Sequence, residues 1–115
     1  MADINRLLTE LVLCFQILDP YKIVLFGSYV RGTHTKCSDI DIMLILDNND
    51  VSKTYEERLK KRLFVKNLVI DINRQIPLDI LVYSKEELNM LKQYGNFFID
   101  EIEKTGKIIY EKTRN

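Results

Sequence analysis

The residues of this chain whose types and spacing could do chemistry are three aspartates and a Gly-Ser pair. Asp39 and Asp41 flank Ile40 just before the apolar run Ile42-Met43-Leu44-Ile45-Leu46. Alternate residues of a strand point to one face, about 6.5 to 7 Å apart at roughly 3.3 Å rise per residue. The two carboxylates are therefore expected to share a face at the mouth of a strand. Carboxylates this close repel unless a proton or cation lies between them, and the arrangement suits a divalent metal. Asp79 is a single acid inside the apolar run Pro77-Leu78-Asp79-Ile80-Leu81-Val82-Tyr83. It reads either as a strand-end charge or as a third metal-coordinating carboxylate brought beside the pair by strand pairing. Asp71 is its rival, near the end of a helical stretch. Gly27-Ser28 follows a second apolar run, Ile23-Val24-Leu25-Phe26. Ser28 suits the N-cap of a short helical turn, whose backbone N–H groups would be free to meet an anion.

Gly27-Ser28, ten intervening residues and Asp39-Ile40-Asp41 together resemble the Gly-Ser-x(10)-Asp-x-Asp signature of the DNA polymerase beta-like nucleotidyltransferases. Arg31-Gly32 and Ser38 match accessory positions. The resemblance runs from Ile23 to Tyr110 and is nearest to the minimal nucleotidyltransferases. These are the MNT partners of HEPN-domain proteins in prokaryotic toxin–antitoxin pairs. It implies a nucleotidyltransferase that moves a nucleoside monophosphate, AMP from ATP foremost, onto an acceptor hydroxyl. Asp39, Asp41 and Asp79 would be the catalytic and metal-holding acids, with two Mg²⁺ ions, or Mn²⁺ as a substitute. Gly27 and Ser28 would take the β- and γ-phosphates, while Arg31 could reach a phosphate or brace its loop. The family's third acid lies on a strand after the crossover helix, which favours Asp79 over Asp71. The minimal members lack the helical domain that holds the acceptor in larger relatives such as kanamycin nucleotidyltransferase. A second polypeptide, a helical HEPN toxin modified on a tyrosine, is then expected to supply that surface in a hetero-oligomer. The alternative is a non-catalytic module that binds a nucleotide or neutralises a partner by docking.

The elements that must position these residues are legible in the apolar periodicity. Ile4, Leu7, Leu8, Leu11, Phe15 and Leu18 recur at helical spacing, predicting a helix from about Asp3, as N-cap, to Leu18. Asp19-Pro20 stops it. A strand over Ile23–Phe26, the motif, and a strand over Asp39–Leu46 follow. The second strand is apolar on both faces beyond the acids, which predicts a central, doubly covered position. After a turn at Asp47–Asp50, one crossover helix is expected from about Lys53 to Asn73. Its basic cluster Arg58-Lys60-Lys61-Arg62-Lys66 reads as a solvated face that could touch a partner. The third strand ends at Ser84-Lys85-Glu86-Glu87, a capping box that starts a helix to about Gln93. A further helix around Phe97, Phe98, Ile99 and Ile102, closed by Gly106, and a strand over Lys107–Glu111 complete the chain. This order predicts an α/β (α+β) fold: a small mixed β-sheet with flanking helices, as in the polymerase beta-like nucleotidyltransferases.

Composition sets the remaining bounds. At 115 residues the chain is expected to form one nucleotidyltransferase domain, residues 1–115. Seventeen Lys and Arg balance seventeen Asp and Glu, so the basic excess of a general nucleic-acid binder is absent. No apolar run approaches the roughly 20 residues that span a bilayer, and the charged first helix excludes a signal-peptide core. Cys14, on an apolar helix, is expected to be buried, and both it and Cys37 to be free thiols in a reducing cytoplasm. His34, the single histidine, has no partner at metal-ligand or triad spacing and reads as a solvated loop residue.

Overall fold

The computed structural model describes residues 3–113. Helix α1 (Ile4–Phe15) opens on Asp3, whose carboxylate accepts from the N–H groups of Asn5 and Arg6 at 3.0 and 3.3 Å. It buries Leu7, Leu11 and Phe15 completely. Cys14, expected inside, is exposed. It precedes Phe15 by one residue and so lies about 100° around the helix from that stripe. A single 3-10 turn, Gln16–Leu18, follows, and Asp19 takes a left-handed conformation with φ 52°. That reversal lets strand β1 start at Pro20, three residues earlier than expected, and run to Phe26.

Short helix α2 (Ser28–Arg31) leads to strand β2 (Ile40–Leu46), which Asp39 precedes. The crossover is two helices, α3 (Tyr55–Leu68) and α4 (Ile70–Gln75), where the sequence suggested one. They break at Val69, which leaves helical geometry at φ −117° and ψ 25°. Val65, Val69 and Ile72, at the i, i+4, i+7 spacing of one helix face, all reach the core across the break. Strand β3 (Leu78–Ser84), helices α5 (Lys85–Gln93) and α6 (Phe97–Thr105), and strand β4 (Lys107–Glu111) close the fold. The capping box forms as read: Ser84 Oγ accepts from Glu87 N–H at 3.1 Å, and Glu87 Oε1 accepts from Ser84 N–H at 2.9 Å.

The sheet order is β3-β2-β1-β4, with β2 parallel to β3 and antiparallel to β1. It is a mixed sheet between two helical layers, the α+β class expected. Helices α1 and α4 and the end of α3 cover one face through Leu7, Leu11, Phe15, Val69 and Ile72. Helices α5 and α6 cover the other through Leu88, Ile99 and Ile102. β2 supplies both layers, with Ile42 and Leu44 to one and Met43 and Ile45 to the other, all at most 1% exposed. Burial of that kind is worth roughly 1.5–3 kcal/mol per large aliphatic side chain, and it fixes the register that sets the acids.

Candidate active site

Register places the acids. Asp41 stands opposite Asp79 across the parallel β2–β3 pair, and opposite Phe26 across the antiparallel β1–β2 pair. Adjacent strands lie about 4.8 Å apart, so the Asp41 and Asp79 side chains leave one face side by side. Two bonds hold the entry to β3: Ile40 N–H donates to the Pro77 carbonyl at 2.9 Å, and Leu78 N–H donates to Asn73 Oδ1 at 2.9 Å. Asp39, exposed, is one residue short of the strand. Asp71 is remote from this pairing; it lies exposed on α4 and pairs with Arg74 at 3.2 Å.

Electrostatics show that Asp41 feels both of the other acids. The Asp41 carboxyl is pushed above the usual carboxylate range, first by partial burial, then by the charges of Asp79 and Asp39, against the pull of Arg31. Phe26, which stands opposite Asp41, meets Phe98 of α6 edge-on, with ring centroids 5.9 Å apart. That contact was not foreseen from the sequence, where the helical spacing marks Phe98 only as core.

Gly27 has φ 79° and ψ −151°, a region open essentially to glycine alone. A Cβ there would also overlap Oδ2 of Asp41. The turn is thus built around the second carboxylate, packing the Gly-Ser loop directly against the acids. Gly27, not Ser28 as expected, occupies the N-cap position of α2, and its carbonyl accepts from Val30 and Arg31 N–H at 3.1 Å. The Ser28 hydroxyl is left without a hydrogen-bond partner among the described residues. Arg31 is exposed and makes no side-chain hydrogen bond or ion pair among them either, though its charge pulls on Asp41. His34 is exposed as read, but it stacks on Tyr29 with centroids 4.3 Å apart.

The donor set is three carboxylates and no nitrogen or sulfur, the chemistry of a hard divalent cation. Among the described residues no three such side chains gather tightly enough to enclose an ion by themselves. Magnesium is commonly held by one or two carboxylates together with substrate phosphates, and an open set fits that habit. The arrangement can thus meet a cation and polyphosphate together.

Residues 12–115 match the family model described as "Polymerase beta, Nucleotidyltransferase". The chain belongs to that nucleotidyltransferase family. It is 34% identical over 89 residues to the Methanocaldococcus jannaschii protein called "Putative protein adenylyltransferase MJ0604", covering 77% of each chain. Its fold is similar to a crystal structure described as a "putative nucleotidyltransferase" from Sulfolobus solfataricus. That likeness has TM-score 0.51 and 19% identity over 93% of this chain and 76% of that one. A second similar structure is a toxin-antitoxin with AMP-PNP, with TM-score 0.53 and 17% identity over 92% of this chain and 74% of that one. At these identities the two structures speak for the fold, and the nucleotidyltransferase assignment rests on the family match. No helix among the described residues is long and apolar enough to cross a membrane.

Proposed function

We propose that this nucleotidyltransferase moves AMP from ATP onto a hydroxyl of a partner protein, a tyrosine of a helical HEPN-type toxin, and thereby acts as its antitoxin. The observation that carries the reading is the register of Asp41 with Asp79 beside the Gly27-Ser28 turn. It offers a place for a triphosphate on one side of the acids and for an incoming hydroxyl on the other. The partner class is supported by the M. jannaschii relative's description as a protein adenylyltransferase and by the fold shared with a toxin-antitoxin that holds AMP-PNP.

Ser28 would bind the β/γ end of the triphosphate through its unpartnered hydroxyl and N–H. Arg31, exposed and in no ion pair among the described residues, would neutralise phosphate charge. Mg²⁺ held by Asp39, Asp41 and Asp79 would supply electrostatic stabilisation of the attacking and leaving oxygens. Asp79, on the edge strand and exposed, would accept the proton of the attacking hydroxyl. That oxygen bonds to the α-phosphorus as its bond to pyrophosphate breaks.

Incubating the protein with its genomic-neighbour partner, ATP and Mg²⁺ should add the mass of AMP to the partner. Asp79→Asn should lose that addition yet keep much of its affinity for a non-hydrolysable ATP analogue. A partner that binds tightly and stays unmodified with all four nucleotides would establish the docking module instead.

A further inference from the structure

Among the described residues the sheet has two edges, β3 and β4, and β3 is the longer. The pairing of β3 with β2 decides which of its backbone groups point outward. Ile40 lies opposite Leu78 and bonds to Pro77, so Leu78, Ile80, Val82 and Ser84 turn their N–H and C=O groups away from β2. Asn73 takes the Leu78 N–H and Glu87 takes the Ser84 N–H, both at 2.9 Å. Between these ends, Ile80 and Val82 have no outward partner among the described residues. Unpaired edge groups of this kind are a template for another chain.

Beside this edge runs α3, and its exposed surface is organised in two stripes. Arg58, Arg62 and Lys66 recur at four-residue spacing, and none forms an ion pair among the described residues. Like charges at that spacing destabilise a helix. Tyr55, Leu59 and Leu63 form the adjoining stripe, with Tyr55 72% and Leu63 58% exposed. Two hollows lie along the strand. One, of about 110 Å³, begins at Asp79 and Ile80; the other, of about 330 Å³, lies between α3 and α5 against Tyr83 and Met90. Arg62 lines both, so the two hollows adjoin at its side chain and follow the β3 edge from the third acid as a divided groove.

We infer that this groove receives an extended segment of the acceptor protein, rich in acidic and apolar residues and added as a strand on β3. Its hydroxyl-bearing residue then lies at the Asp79 end. The inference deepens the proposed function and rests on it for the acceptor being a protein. The occupant's chemistry follows from the groove's own. The strand edge supplies backbone pairing, as in peptide recognition by β-strand addition, the three cations select carboxylates, and Leu59 and Leu63 take alternate apolar side chains. A nucleic acid would find the cations but no use for the apolar stripe or the strand edge.

The test uses a fluorescein-labelled synthetic peptide with glutamate and leucine in turn at every second position, so that both fall on one strand face, serine between them and tyrosine at one end, titrated without nucleotide. Saturable binding is expected, at least about tenfold weaker for Arg58→Glu with Arg62→Glu, since each charged hydrogen bond is worth about that factor. A peptide with lysine for glutamate should not bind. Ile80→Pro removes an outward N–H and no ladder bond, a position that tolerates proline. It should fold, as judged by its melting curve, and lose the peptide. In the wild-type complex, amide exchange at Ile80 and Val82 should slow. Binding that survives both variants, or an oligouridylate that binds the same cations more tightly than the peptide, would overturn the inference. Peptide binding without AMP transfer to the partner would leave the groove standing and sink the enzymatic reading alone.

Discussion

Asp41 is where three constraints cross: the end of β1 on one side, Asp79 on the other, and Gly27 against its carboxylate. Its raised pKa means that the folded protein holds a proton that the unfolded chain gives up. Between the ordinary carboxylate range and the raised value, stability therefore falls as pH rises. Asp41→Asn should remove that slope and raise the melting temperature at neutral pH without metal, as two neighbouring charges lose their antagonist. Thermal melts of both proteins across the acid range check this, and an identical slope would detach Asp41 from the cluster. Gly27→Ala should act in the opposite direction. The positive φ alone costs about 1–3 kcal/mol, and the methyl group must also displace Asp41, so stability and affinity for an ATP analogue should fall together. A Gly27→Ala protein that keeps its nucleotide affinity would separate the turn from the phosphate site.

At the scale of elements, Glu87 ties α5 to three other parts of the fold. It caps its own helix at Ser84, accepts from Ser52 N–H at 3.1 Å, and meets Lys61 of α3 at 3.1 Å. Burial pushes its carboxyl up, but the two N–H donors and the ammonium together leave it below the usual range. A depressed acid contributes stability above its unfolded pKa that is lost as pH falls through the folded one. Glu87→Ala should cost about 2 kcal/mol or more, combining a lost cap with part-buried donors left unpaired. Urea unfolding checks it, and the loss should shrink toward low pH, where the wild type also protonates. The cap was legible in Ser84-Lys85-Glu86-Glu87 because it is a local pattern. The reach to Ser52 and Lys61 was not, since it depends on α3 and α5 meeting at the β3 edge. The break at Val69 was hidden too: no glycine or proline marks it, and Val65, Val69 and Ile72 keep the spacing of one continuous helix face. Cys14 shows the limit from the other side, because an apolar residue on an apolar helix still faces outward when it falls off the stripe.

Across the whole molecule, the acids lie where the turn after β1 and the starts of β2 and β3 converge, so ligands there brace several elements at once. The turn after β1, the strand that follows Asp39 and the helical crossover were readable from spacing, because strand alternation and apolar runs are written in the chain. The pairing of Asp41 with Asp79 could only be expected, since it depends on how far the crossover lets β3 slide along β2. Because the three carboxylates are not gathered enough to enclose an ion alone, cation and triphosphate should complete each other's coordination. A native-state ligand at a hundred times its dissociation constant stabilises by about 2.7 kcal/mol. Mg²⁺ with a non-hydrolysable ATP analogue should therefore raise the melting temperature by more than the sum of the shifts each gives alone. Asp39→Asn with Asp41→Asn should remove the excess and leave at most the small shift of the analogue bound through Ser28 and Arg31. Strictly additive shifts in the wild type would mean that cation and nucleotide bind apart, and the acids would then need another role.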